Sequence, residues 1–217
     1  CGDYTTTESP EITDIETDNA QMQNDINCLT GNLEIGDHCY GGIVFYVEEG
    51  DEGKYGLVAA MDDLPGFYEF GCSNQAIVGA DGLDIGYGYQ NTNDILNQEC
   101  ITQNGNLSAS EAASLFESNL YDDWYLPSIE ELKLILNSNI SSFQPTKYWS
   151  SSETGAQTAY PLDFLDFTSP SHYLKYATCY VRPIRAFGNW TEGCMDSLAC
   201  NFNSQANMED GSCNYAQ

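Results

Sequence analysis

The chain has 217 residues, enough for one sizeable core with small appendages. Its 33 acids against 6 bases give a formal charge of -27, which repels phosphate backbones and anionic headgroups and so excludes nucleic acid as a partner. Nine cysteines with no paired C-x-x-C motif point to disulfides and an oxidising, extracellular compartment instead of zinc, and no apolar run reaches membrane-spanning length.

Residues 1–35 read as a tether followed by a helix. The Thr/Glu-rich stretch 1–11, with Pro10, has the composition of a disordered linker. A chain opening Cys1-Gly2-Asp3 before a polar tether resembles a mature bacterial lipoprotein, whose first cysteine carries the lipid; an ordinary disulfide cysteine is the alternative. A lipid on Cys1 would be the one route to a membrane. Ile12, Ile15, Asn19, Met22, Ile26 and Leu29 then fall at alternating spacings of three and four, the stripe of a short coiled coil or of one amphipathic helix docked on a neighbour. Residues 1–30 are therefore expected to mediate self-association or to meet another surface protein.

From residue 36 the pattern changes. Gly41-Gly42 opens an apolar strand Ile43 to Val47, an acidic glycine turn follows, and Tyr55 to Met61 returns as the second arm of a β-hairpin. Residues 62–90 are glycine- and aromatic-rich loops. Asn91 to Glu99 carries Ile95 and Leu96 at helical positions, and Ser108 with Glu111 is a capping box that starts a helix through Ala112, Leu115 and Phe116. Tyr121-Asp122-Asp123-Trp124-Tyr125-Leu126-Pro127-Ser128 reads as a buried aromatic strand. It runs into a helix that begins at Ile129, capped by the Ser128–Glu131 box, with Leu132, Ile135 and Leu136 facing inward. Tyr148 to Ser152, Tyr160 to Phe167 and Tyr173 to Phe187 read as strands. Helices and strands segregate along the chain, the α+β pattern with an antiparallel sheet and two to three helices.

The run Asp-Asp-Trp-Tyr-Leu-Pro-Ser at 122–128, Tyr148-Trp149-Ser150-Ser151-Ser152-Glu153, and Val181-Arg182-Pro183-Ile184-Arg185-Ala186-Phe187 resemble, in that order, the motifs of the Lcl C-terminal domain family. The opening hairpin, with Gly56-Leu57-Val58-Ala59-Ala60, extends the resemblance over residues 36–188. It implies a bacterial extracellular domain whose fold is similar to C-type lectins and to the formylglycine-generating enzyme, used mostly in adhesins and surface binding proteins. Fold likeness is not function. At positions where that family often carries cysteines, Cys72 is expected to pair with Cys100, and Cys28 with Cys39 is the second expected bridge. In a lectin-like fold recognition falls on the long returning loops, here Phe67 to Gln90 and Gly155 to Tyr176. The second offers Tyr160, Asp163, Asp166, His172 and Tyr173 to a sugar or a protein surface; the alternative is that the two tyrosines are core and the acids merely solvated.

Residues 189–217 change character again and resemble a short three-cysteine repeat found at the C-terminal ends of large secreted bacterial proteins. Too small for a core, this module is expected to rely on disulfides and on a cation, calcium by its oxygen ligands, at Asp196, Asn201, Asn203 and Asp210. Two bridges among Cys179, Cys194, Cys200 and Cys213 would tie it to the last strand and leave Cys1 for lipid or an intermolecular bond.

Catalysis finds little support. His38 and His172 are the only histidines and neither sits in a recognisable motif; no G-x-S-x-G, P-loop or H-E-x-x-H is present. Asp122 and Asp123 are expected to serve a turn, Ser150 to Ser152 to alternate faces of a strand, and Arg182 and Arg185 to pair internally with Asp122, Asp123 or Glu153. The expectation is a non-enzymatic, adhesin-like surface protein at the bacterial cell surface or outer membrane, binding a glycan or protein partner. The alternatives are a structural subunit of an extracellular filament and, third, an enzyme of the formylglycine-generating-like fold.

Overall fold

A computed structural model describes residues 28, 30, 32–118, 121–138, 140, 143–168 and 173–216. The heptad-like stretch 12–27, Leu29, Cys1 and His172 lie outside the described residues. Among the described residues the architecture is α+β, with three antiparallel sheets, few helices and three disulfides. No helix among the described residues is long and apolar enough to cross a membrane.

The main sheet has the order β1-β2-β3-β9, with β1 at His38–Cys39, β2 at Gly42–Gly50, β3 at Gly53–Ala59 and β9 at Ile184–Phe187. Hairpin β2–β3 closes through Asp51 and Glu52, in the expected acidic turn. A register shift between Val44 and Tyr46 puts Phe45 and Tyr46 against one core while Val44 and Val47 face another. Strand β9 obeys the same division: Ile184 and Ala186 face the inner cluster, and Phe187 the outer one with Val44, Val58 and Trp124. The sheet is thus apolar on both faces.

Among the described residues after the hairpin, three helices follow in chain order: α1 at Gly88–Asn97, α2 at Ala109–Ser114 and α3 at Ile129–Asn137. Both capping boxes form, Ser108 with Glu111 and Ser128 with Glu131. Helix α3 buries Leu132 and Ile135 against the inner face of the main sheet, as its periodicity predicts, together with Ile129, while Leu136 is half-buried against the same cluster. Helix α2 stops short of Phe116, leaving Leu115 exposed as its C-cap. The run before α3 is buried only from Trp124 to Ser128, Asp122 and Asp123 being exposed, and it is not a strand: Trp124 and Tyr125 are 2% exposed, and an isolated bridge joins Tyr125 to Ile184.

Strands β5 (Lys147–Gly155) and β6 (Thr158–Asp163) form the second sheet, completed by β7 (Tyr173–Leu174). The long strand expected over Tyr173 to Phe187 is instead three pieces in three sheets: β7, then β8 (Thr178–Cys179) paired with β4 (Tyr68–Glu69), then β9. Two features break it. A turn closes from Ala177 N–H to the Leu174 carbonyl, and Pro183, which has no N–H to give a ladder, follows an Arg182 whose guanidinium donates to the Ala60 and Met61 carbonyls.

Cys72–Cys100 and Cys28–Cys39 pair as expected. In the terminal module only Cys194–Cys213 forms; the two-bridge expectation is corrected, with Cys179 and Cys200 as free thiols. The reason is placement. Cys179 is sealed in the core cluster of Phe70 and Trp149, whereas the module docks elsewhere, Glu209 N–H donating to the Gly86 carbonyl. Burial pushes the Cys179 thiol up to about 12, so it stays protonated and unreactive at neutral pH. Native alkylation with iodoacetamide followed by peptide mapping should label Cys200, which is exposed, and spare Cys179 until denaturant is added. Labelling of Cys179 in the folded protein would contradict this packing.

Candidate functional site

The residues expected to form a recognition surface do not converge. Ala159 pairs with Tyr173 across β6 and β7, so their side chains share one face, and Tyr160, one position on, takes the other. Accordingly Tyr173 packs on Trp149 at 5.5 Å between ring centroids, and Tyr160 on the cluster of α3. Asp163 shares the face of Tyr173 but is 6% exposed and bound to Lys147 at 2.5 Å, and Lys147 also lies 5.8 Å from the Tyr173 ring centroid. The Lys147 contact holds the Asp163 carboxyl below the usual carboxylate range. Asp166 is exposed and accepts from the Thr168 amide and hydroxyl. These side chains are engaged with their own fold.

The bases are engaged too. Each of the six pairs with a carboxylate: Lys54 with Glu49, Lys133 with Glu130, Lys147 with Asp163, Lys175 with Glu153, Arg182 with Asp63 and Arg185 with Asp123. The Arg185–Asp123 pair is bidentate, Nε to Oδ1 at 2.5 Å and Nη2 to Oδ2 at 2.8 Å. Asp123 thus serves the internal ion pair anticipated for Arg185 instead of a turn amide; Arg182 finds a different acid, Asp63, which also accepts from the Tyr148 hydroxyl. The three serines 150–152 are fully buried, and Ser152 has a structural task described next.

An acid-lined cleft of about 590 Å³ opens where the terminal module meets the loop before α1. Four side chains immobilise the loop. Glu131 of α3 accepts from the Gly86 amide at 2.9 Å and from the Ser128 amide at 2.7 Å. Ser128 Oγ donates to the Asp84 carbonyl at 2.8 Å, and Ser152 Oγ and Asn91 Nδ2 both donate to the Gly82 carbonyl at 2.7 Å. Gly86, at φ +92°, adopts a backbone that only glycine takes readily, and a Cβ there would strike the Asn207 carbonyl of the docked module. From the other wall, buried Glu209 accepts from the Met195 amide at 2.6 Å and from the Gly211 amide at 3.0 Å, backed by the Cys194–Cys213 bridge.

Asp81, Asp84, Asp94, Asp196 and Glu209 line the cleft with Tyr87 and Tyr215, and no base does. Burial, then the charges of Glu209, Asp196 and Asp84, push the Tyr87 phenol up to about 12. Burial raises the Asp94 carboxyl against the pull of its hydrogen bond from Gln90. Tyr215 donates to Asp196 at 2.7 Å, which raises the phenol, while the Leu198 N–H holds the Asp196 carboxyl low. The cleft therefore offers carboxyl acceptors and two phenols to hydroxyls, ammonium or guanidinium groups.

Asp196, Asn201, Asn203 and Asp210, expected to hold calcium, each accept a main-chain N–H, from Leu198, Asn214, Gln205 and Ser212 respectively. Those at Asp196, Asn203 and Asp210 reach two residues on and stabilise turns, whereas that at Asn201 ties it to the segment 13 residues later. Among the described residues, the one group of three His, Cys, Asp or Glu side chains close enough to share an ion is Cys194, Glu209 and Cys213, whose sulfurs form a disulfide. The expected loop Phe67 to Gln90 supplies one wall of the cleft, but Tyr215, Glu209 and Met195 were not anticipated; no spacing rule links them to that loop.

No protein-family model matches the chain, and no curated protein matches it.

Proposed function

We propose that the protein is a non-catalytic, extracellular surface-binding protein with a C-type-lectin-like domain, and that its partner is a protein presenting several separated Lys or Arg side chains to the cleft. The carrying observation is five carboxylates and two phenols on one cleft with no basic neighbour. Those acids are not grouped tightly enough to read as one ion site, which favours a ligand whose positive groups are spread out. The three disulfides fit an oxidising compartment, and the closure of the sheet β1-β2-β3 by the late strand β9, after a long excursion of loops and helices, fits the lectin-like reading. Two strongly shifted groups are occupied otherwise: the Cys179 thiol is buried and protonated, and the Glu131 carboxylate is bound to main-chain amides.

The test uses peptides carrying two to four spaced lysines or arginines, with binding measured at about 0.15 M salt to reduce long-range attraction. Asp81→Asn with Asp84→Asn should weaken binding about tenfold, whereas Glu34→Gln with Glu117→Gln, equal in charge but away from the cleft lining, should change it about twofold or less. Equal losses in the two double variants would reduce the effect to net charge and sink the proposal.

A further inference from the structure

A second surface, apart from the acid-lined cleft, is built around Trp190. Its indole N–H donates to the Phe187 carbonyl at 3.1 Å, and its ring packs edge-on against Tyr55 with centroids 4.9 Å apart. Held by these contacts and half-buried against the inner cluster, the indole has a defined orientation and is partly open to solvent. It separates two polar clefts of about 560 and 420 Å³ that share Trp190, Glu52 and Asn189 as walls. The first adds Glu49, Asp51 and Tyr55 from the hairpin β2–β3, and the second adds Glu192. Asn189 Nδ2 donates to Glu52 Oε2 at 3.0 Å, which fixes an amide and a carboxylate side by side at the ring.

This combination selects a ligand class. An anchored indole ridge supplies an apolar plane on which a flat array of C–H groups can rest, and the rim supplies hydrogen-bond acceptors at its margins. A ligand that suits both has an apolar face and outward hydroxyls. Apolar lipids would leave the rim carboxylates unsolvated, and acidic ligands would meet like charge. Because the ridge is open to a cleft on each side, a chain can cross it instead of ending there. We propose that Trp190 is the platform of a saccharide-binding site for an oligosaccharide free of acidic groups, one ring lying on the indole and its neighbours in the two clefts, with Glu52 and Asn189 receiving and giving hydroxyl hydrogen bonds.

The protein carries its own reporter. Trp124 and Trp149 are 2% and 0% exposed, so a ligand that changes tryptophan emission without unfolding the chain acts through Trp190. The full chain is titrated with cello-oligosaccharide and chito-oligosaccharide, and with a heparin oligosaccharide as acidic control. A saturable change in emission is expected with at least one of the first two and none with heparin. Trp190→Ala should lose binding by about tenfold or more, measured by calorimetry because the reporter is gone. Should Trp190→Ala fail to fold, Glu52→Gln and Asn189→Ala, both at exposed side chains, carry the test, each weakening binding about threefold or more. Unchanged emission with both neutral and amino sugars, heparin binding as well as they do, or full affinity in the folded variants would overturn the assignment.

Discussion

Replacing Glu131 with alanine is expected to be the most damaging single change in the protein. The side chain is fully buried, yet it closes the capping box of α3 and also reaches across to the Gly86 amide. Gly88 packs against the same carboxylate, so closely that a Cβ there would strike Glu131 Oε2. Alanine would orphan at least two buried N–H groups at about 1–3 kcal/mol each and leave a void. A loss of about 3–6 kcal/mol consumes much of the 5–15 kcal/mol typical of a domain. Urea denaturation should show the midpoint falling steeply or the variant unfolded outright; a loss below about 1 kcal/mol would show that water replaces the carboxylate easily. Glu131→Gln keeps one acceptor and should cost less. The titration adds a signature: burial pushes the carboxyl up to about 7 against the pull of the main-chain N–H groups. A raised folded-state value means that the group's contribution is complete below the unfolded value of about 4.5 and is lost as pH rises through 7. The stability gap between the native chain and Glu131→Gln should accordingly narrow between pH 4.5 and 8.

Lys175→Met should come second, at about 3–5 kcal/mol. Lys175 is fully buried in the β7–β8 turn, donating to Glu153 at 2.7 Å and to the Gln75 carbonyl at 2.8 Å above the ring of Phe70. Without it, Glu153 keeps only the Ile77 amide in a site 6% exposed to water. An uncompensated buried charge costs more than the loss of a whole pair, so Lys175→Met with Glu153→Gln should recover part of the stability. The double-variant cycle measured by urea denaturation decides it. Additive losses would mean that the two charges do not depend on one another.

The parts of this fold readable from sequence are those whose causes lie within a few residues. Ser108–Glu111 and Ser128–Glu131 each complete a hydrogen-bonded box inside one helical turn, and the β2–β3 hairpin announces itself by an apolar arm, an acidic glycine turn and a second arm. The readings fail where the cause is distant. Arg182 meets Asp63 over a separation of 119 residues and donates to the Ala60 and Met61 carbonyls, and these distant partners, with Pro183, stand where the expected strand is interrupted before β9. Glu153, weighed as a partner for an arginine, belongs to Lys175 because the turn after β7 carries that lysine inside. The acid-lined cleft follows the same rule. Its loop wall lies in a segment expected to carry recognition, but the opposing wall depends on a backbone contact between Gly86 and Glu209 that no pattern in either segment declares.

The complete internal pairing of lysine and arginine has a colloidal consequence. With all six bases committed to partners, the acids left over have no cationic neighbours to soften them, and each molecule is in effect a polyanion wrapped in mobile counterions. Two such particles in dilute buffer repel across a screening length of about 30 Å at 0.01 M salt, and this contracts to about 3 Å at 1 M. Crowding of copies on one surface, and any lateral contact between them, would therefore be set by the ionic strength of the surrounding medium, with brine permitting a density that fresh water forbids.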